Sequence, residues 1–149
     1  MVRGLIQRVS SARVDVEGKT VGQIGQGLLV LLGVDKGDDE AKADKLVHKL
    51  VNYRVFGDDD NKMNLSLLDI NGGILVVSQF TLSADTRKGL RPSFTSAAPP
   101  QEAKRLYEYC LAQLGEMEAK GLQVASGIFA ADMQVSLVND GPVTFMLEV

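Results

Sequence analysis

The run Gly27-Leu28-Leu29-Val30-Leu31-Leu32-Gly33-Val34 constrains this chain more than any other stretch of it. A strand that alternates apolar and polar residues can turn one face to water, but this run has no polar position and must be buried on both faces. Ile74-Leu75-Val76-Val77 opens a second buried strand, which reads as running on through Ser78-Gln79-Phe80-Thr81-Leu82. Two amphipathic stretches supply cover. Ala43, Leu46, Val47, Leu50 and Val51 recur at spacings of three and four, which puts them on one stripe of a helix. Asp38 and Asp39 stand where carboxylates favour the positive end of that helix's dipole. After Pro99-Pro100, the positions Ala103, Leu106, Tyr107, Cys110, Leu111, Leu114 and Met117 form a second stripe, and Gly121 is a natural stop.

The other strands are signalled by alternation. Val2 to Val9, Arg13 to Val16, Thr20 to Ile24 after a turn at Gly18, and Leu122 to Ala125 all read as strands. Met133, Val135 and Leu137 alternate with polar residues, as do Val143, Phe145, Leu147 and Val149; Asn139-Asp140-Gly141-Pro142 between them reads as the turn of a hairpin. The expectation is a mixed α+β fold in a single compact domain over residues 1–149, with a largely antiparallel sheet packed against two main helices. A chain of 149 residues buries roughly 70% of its unfolded surface, enough for a core without metal or disulfide staples.

Composition narrows the chemistry. One histidine, His48, and one thiol, Cys110, exclude a catalyst or zinc site assembled from several such side chains, so no metal and no cofactor are expected. Cys110 falls in the second apolar stripe and reads as a small buried hydrophobe, while His48, among Asp44, Lys45 and Lys49, reads as a surface residue. A lone cysteine, the lack of about 18 consecutive apolar residues and a start without a signal peptide's apolar stretch point to the cytoplasm. Gly18-Lys19-Thr20 lacks the earlier glycine of a phosphate-binding loop, since Arg13 stands in its place; Asp58-Asp59-Asp60 lacks the later glycine and glutamate of a calcium loop. Both read as turns. The net charge of −3 hides an asymmetry: from Thr86 to Arg105 the chain holds Arg87, Lys88, Arg91, Lys104 and Arg105 against Glu102 alone, a local +4 on a remainder of −7. That segment is either a solvated face or a contact for phosphates at one end of an RNA, too small to coat a duplex.

Two short stretches present polar groups from a rigid scaffold. Ser78-Gln79-Phe80-Thr81 lies where a buried strand emerges into a loop and backbone amides become available to a ligand. By strand alternation Gln79 and Thr81 share one face. Asn139-Asp140-Gly141-Pro142-Val143-Thr144 places a proline, which has no N–H, inside a turn, where a cis Gly-Pro bond would leave carbonyl oxygens projecting.

Joined by Arg91-Pro92-Ser93-Phe94 and by Phe129-Ala130-Ala131-Asp132-Met133-Gln134-Val135, these two stretches closely resemble the bacterial D-aminoacyl-tRNA deacylases. Leu5-Ile6-Gln7-Arg8-Val9 and the Gly27 to Gly33 strand match as well, so the similarity spans essentially the whole chain. The resemblance implies a homodimer, with its active site at the subunit interface, that hydrolyses the ester joining a D-amino acid to the 3′-terminal adenosine of tRNA and also removes glycine from mischarged tRNA. It implies that Ser78, Gln79, Phe80 and Thr81 line the pocket, and that Gly141 and Pro142 form a cis dipeptide, inserted from the neighbouring subunit, that collides with L side chains. Catalysis is assigned to Thr81, Phe80 and Gln79, either with Thr81 as nucleophile or with backbone N–H groups around Phe80 and Thr81 stabilising an oxyanion while the ribose 2′-OH assists. The second route is favoured because the sequence is poor in bases. Met133 and Phe94 are read as pocket wall against a competing reading as core, and Arg8 as a brace for the Gly-Pro turn against an exposed strand arginine. Arg87, Lys88 and Arg91 are read as contacts to acceptor-stem phosphates, and neither membrane nor DNA is expected as a partner. Two rivals stand beside this: a noncatalytic binder of charged tRNA 3′ ends, and a general esterase indifferent to the tRNA body.

Overall fold

The structure is a computed structural model that describes residues 1–149. Its elements are β1 (Arg3–Val16), β2 (Lys19–Ile24), β3 (Gly27–Gly33), α1 (Glu40–Asn52), β4 (Phe56–Gly57), β5 (Met63–Leu65), β6 (Gly73–Ser78), α2 (Pro100–Gly115), β7 (Gln123–Ser126) and β8 (Gln134–Glu148). One six-stranded sheet runs β2-β1-β3-β6-β7, with β8 paired to the other edge of β1; β4 and β5 form a small separate ribbon.

The apolar run is β3, and it lies between β1 and β6 as its composition demands. Leu28, Val30 and Leu32 join the core beneath the helices, whereas Leu29 joins a second cluster with Leu75, Val77, Val9 and Val14 on the opposite face. Gly27 faces Gly73 across the parallel ladder, and a Cβ on Gly27 would collide with the Gly73 backbone. The second cluster is enclosed because the sheet curls: a Cβ on Gly22 of β2 would stand 2.5 Å from the Ser126 carbonyl oxygen of β7. Strands β3, β6 and β7 are mutually parallel, which requires crossovers, and α1 and α2 provide them. The antiparallel share is β1 with β2, β3 and β8.

Asp39 caps α1, its carboxylate accepting the Lys42 N–H at 3.0 Å. The carboxylate of Asp38 instead accepts the Asp35 N–H at 2.7 Å and is buried. Leu46, Leu50 and Val51 are sealed against the sheet, each worth about 1.5–3 kcal/mol of burial. After Gly115 the chain of α2 tightens into a 3₁₀ turn and stops at Gly121, whose φ is +96°.

Two readings are corrected. The C-terminal segment is no hairpin: Gln134–Glu148 is one strand, paired antiparallel to β1 from Asp15 down to Arg3. The Asn139-Asp140-Gly141-Pro142 stretch interrupts this ladder as a bulge, because Val9 opposes Asn139 while Gln7 opposes Thr144, leaving four residues across from Arg8. Local turn composition does not distinguish a chain reversal from a bulge when the partner strand, β1, is long enough to pair on both sides of it. Likewise β6 ends at Ser78; Phe80–Ser83 is a 3₁₀ turn and not further strand.

Candidate functional site

The carboxyl ends of the three parallel strands converge on a cavity of about 650 Å³. Such strand ends are favoured ligand sites in sheets covered by crossover helices. Leu32 and Val34 close it from the end of β3, Val77, Ser78 and Gln79 from the end of β6, and Phe129 to Met133 from the loop after β7. Pro100, Ala103 and Tyr107 of α2 complete the wall, which is mostly apolar. Asp132 is its only ionisable carboxylate.

The sequence singled out several of these positions. Ser78, Gln79 and Phe80 line the cavity; Thr81 stands beside it, exposed, with the Gln79 carboxamide donating to its hydroxyl oxygen. Because the chain turns at Gln79, the pairing of Gln79 with Thr81 is made across a 3₁₀ turn and not along a strand face. The first hydrogen bond of that turn is from Leu82 N–H to the Gln79 carbonyl, so the N–H groups of Phe80 and Thr81 precede it and are not consumed by it. Phe94 and Met133 are also on the wall. Phe94 is 39% exposed and so is not core, and its ring lies 5.1 Å from that of Phe80, which is 60% exposed. Met133 does both jobs, lining the cavity and packing on the second apolar cluster.

Other expected residues lie apart. Gly141 and Pro142 do not line their own chain's cavity; they sit exposed on the bulge of β8, joined by a cis peptide bond. Gly141 has φ +153°, and a Cβ there would stand 2.5 Å from the Val143 nitrogen. Arg8 reaches this bulge, Nε donating to the Asp140 carbonyl at 2.8 Å and Nη1 to the Val55 carbonyl at 2.6 Å. His48 is exposed on α1 and is not part of the wall. Cys110 is buried, and burial pushes its thiol up to about 12. No group of three or more His, Cys, Asp or Glu side chains converges as a metal would require.

The basic segment divides into paired and unpaired cations. Arg87 is held by Asp85 through two side-chain hydrogen bonds, 2.9 and 2.8 Å, and Arg105 by Glu40 and Glu102. Lys104 lies 3.9 Å from Glu108. Lys88 and Arg91 have no acidic partner and stand exposed on the loop beside Phe94.

Three groups escaped the sequence reading. The Asn139 carboxamide closes the bulge, donating to the Arg8 and Val143 carbonyls at 3.1 Å each and accepting the Val143 N–H at 3.2 Å. The tendency of asparagine to hydrogen-bond nearby backbone in turns, and its place before Gly-Pro, were the available signal. Tyr107 was read only as an apolar stripe residue, yet its hydroxyl donates to the Val76 carbonyl at 3.0 Å while its ring forms cavity wall; burial raises its pKa. Leu32 and Val34 were read as core strand, with nothing local to mark a cavity.

Comparison with known proteins gives the family. Residues 5–148 match the family model described as D-Tyr-tRNA(Tyr) deacylase. The D-aminoacyl-tRNA deacylase of Cellvibrio japonicus is 65% identical over 146 residues, covering 98% of this chain and 98% of that protein. That of Stutzerimonas stutzeri is 64% identical over 147 residues, 99% of each. Among solved structures, one described as c-Myc DNA Unwinding Element Binding Protein superposes with a TM-score of 0.92 at 39% identity, over 99% of this chain and 98% of that one. Another, described as a probable eukaryotic D-amino acid tRNA deacylase, shares the fold at a TM-score of 0.86 and 18% identity, over 99% of both chains. The chain belongs to the D-aminoacyl-tRNA deacylase family, whose members are hydrolases of the aminoacyl-tRNA ester bond.

Proposed function

We propose that this chain works as a homodimer that hydrolyses the ester of D-aminoacyl-tRNA and of mischarged glycyl-tRNA, and that it rejects L-aminoacyl-tRNA sterically. The observation that carries the reading is the separation of two halves of one site. The cavity with Phe80 and Phe94 at its mouth is open, and the exposed Gly141–Pro142 bulge lies six residues beyond Val135, about 20 Å along an extended strand. Gly141 and Pro142 are not part of their own chain's cavity wall, and a second copy could supply them to it. The outer edge of β8 has no partner strand, and Val138, Phe145 and Met146 are exposed along it, which suits pairing with a second copy.

In such a dimer the terminal adenosine enters the apolar cavity and the aminoacyl group faces the partner's Gly141 and the partner's Pro142. A D side chain points into open space; an L side chain meets backbone. Glycine has no side chain to reject, so glycyl-tRNA is cleaved by the same geometry, and the site discriminates by penalising the wrong substrate. Water adds to the ester carbonyl, the N–H groups of Phe80 and Thr81 stabilise the oxyanion, and the 3′ oxygen departs with a proton passed through the neighbouring 2′-OH. Thr81 as nucleophile lacks a base: its hydroxyl meets only the Gln79 carboxamide, and His48 is elsewhere. Arg8 and Asn139 position the bulge, while Lys88 and Arg91 meet phosphates.

Incubation with D-tyrosyl-tRNA and L-tyrosyl-tRNA tests the reading. Release of D-tyrosine alone is expected. Binding without release would favour a noncatalytic tRNA-end binder, and equal cleavage of a simple tyrosine ester would favour a general esterase.

A further inference from the structure

Leu90 is the most exposed large apolar residue of the molecule, at 104% of its reference area. It does not sit on a slack loop. Asp85 and Ser93 pair through two backbone hydrogen bonds of 2.7 and 3.0 Å, and the Asp85 carboxylate further accepts the Arg87 backbone N–H at 3.0 Å and both arms of its guanidinium. Gly89 turns the tip at φ +67° with open space around it. The result is a stiff finger, its tip at most about 10 Å from the Asp85–Ser93 pair, rooted on one side by Phe94 of the cavity mouth. At the tip Leu90 stands between Lys88 and Arg91, the two cations without acidic partners.

An apolar side chain held out by a braced loop, flanked by free cations and bordering a nucleotide-sized cavity, matches the chemistry of unpaired RNA: anionic backbone outside, apolar base faces within. We propose that Leu90 packs against the unpaired nucleobases immediately 5′ of the terminal adenosine, while Lys88 and Arg91 hold the phosphates on either side. This rests on the reading of the cavity as the terminal-adenosine site. It makes the finger a sensor of the single-stranded end that neither the cavity nor the Gly-Pro bulge contacts.

The test compares wild type with Leu90→Ser and Leu90→Met on D-tyrosyl-tRNA and on D-tyrosyl-adenosine, which ends before the finger. For Leu90→Ser the KM for D-tyrosyl-tRNA rises about tenfold, and the slope of log KM against log salt stays as in wild type, because the lost contact is apolar. Leu90→Met restores most of the loss, and the loss does not extend to D-tyrosyl-adenosine. An unchanged KM for tRNA, equal losses on both substrates, or an altered salt slope overturns the proposal. So does a changed oligomeric state of Leu90→Ser, which would make Leu90 a contact between copies. Affinity for uncharged tRNA is read in parallel. If wild type hydrolyses neither substrate, the proposed function fails, while weaker tRNA binding by Leu90→Ser still upholds the finger and equal binding still overturns it.

Discussion

Arg8 Nε donates to the Asp140 carbonyl at 2.8 Å, which ties the middle of β1 to the residue just before Gly141. The same guanidinium donates through Nη1 to Val55 at 2.6 Å, so one side chain spans from the bulge to the segment that follows α1. With only 17% of its side chain exposed, it is held in place. Lysine puts its donors on one nitrogen where arginine spreads them over a rigid fork, and it does not reproduce two bonds directed from separate nitrogens. Arg8→Lys should therefore loosen the bulge and raise the rate on L-tyrosyl-tRNA relative to D-tyrosyl-tRNA about tenfold or more, a charge-assisted hydrogen bond being worth about 1.5–3 kcal/mol. The ratio of kcat/KM values for the two substrates measures it; an unchanged ratio removes Arg8 from chiral rejection.

Asn139 fixes the bulge from the inside. Asn139→Asp keeps an acceptor for the Val143 N–H but loses both donors and sets a carboxylate against the Arg8 and Val143 carbonyls. Asn139→Ala loses all three bonds without that repulsion. Both should lower stability by about 1–3 kcal/mol in chemical denaturation and relax rejection of L-tyrosyl-tRNA, the aspartate more than the alanine. Equal selectivity in all three proteins would reduce Asn139 to scaffolding.

The assignment of catalysis to backbone and substrate hydroxyl groups separates sharply from a threonine nucleophile. Thr81→Ala retains its N–H and should keep appreciable kcat, whereas a substrate ending in 2′-deoxyadenosine should lose nearly all of it. Mass spectrometry of the protein quenched during turnover should find no aminoacyl group on Thr81. A trapped Thr81 ester reverses the assignment.

Cys110 gives a control on the fold. It is buried within α2's stripe and burial pushes its thiol up to about 12, so almost no thiolate exists near neutral pH. Native protein should resist a thiol reagent that labels it at once in denaturant. Rapid labelling without denaturant would show that α2 opens readily.

What the sequence revealed follows from how local each signal is. The apolar stripes placed α1 and α2 because helix periodicity is set within a few turns, and the apolar run placed β3 at the sheet's interior because no other location buries both faces. Gly141–Pro142 was legible as an unusual turn, but its nature as a bulge was not: that depends on β1 pairing β8 on both sides of it, more than a hundred residues away along the chain. The cavity was legible at Ser78 to Phe80 and hidden at Leu32 and Val34, since a strand end lining a cavity and one capped by core have the same composition. Charge counting grouped Arg87 with Lys88 and Arg91, while only geometry shows Asp85 neutralising the first.

That last distinction is measurable. Asp85 is held at about 2, first by the Arg87 side chain and then by the Arg87 backbone N–H. A depressed carboxylate pKa means that the pair contributes fully above the ordinary carboxylate range and is lost only as pH falls toward 2. Near neutral pH, Arg87 therefore sits in a net-neutral pair with Asp85, whereas Lys88 and Arg91 are unpaired and offer more to an incoming phosphate. Replacing both by alanine should raise the KM for D-tyrosyl-tRNA and lower the slope of its salt dependence by about 1.4, two phosphate contacts to a single strand. Arg87→Ala should leave that slope nearly as in wild type. Asp85→Asn removes the neutralising carboxylate while keeping an oxygen for the Arg87 backbone N–H, so it should free the Arg87 cation, lower KM and steepen the salt slope. A slope that falls as far for Arg87→Ala as for a single Lys88→Ala change would show that the Asp85 pair opens to admit RNA.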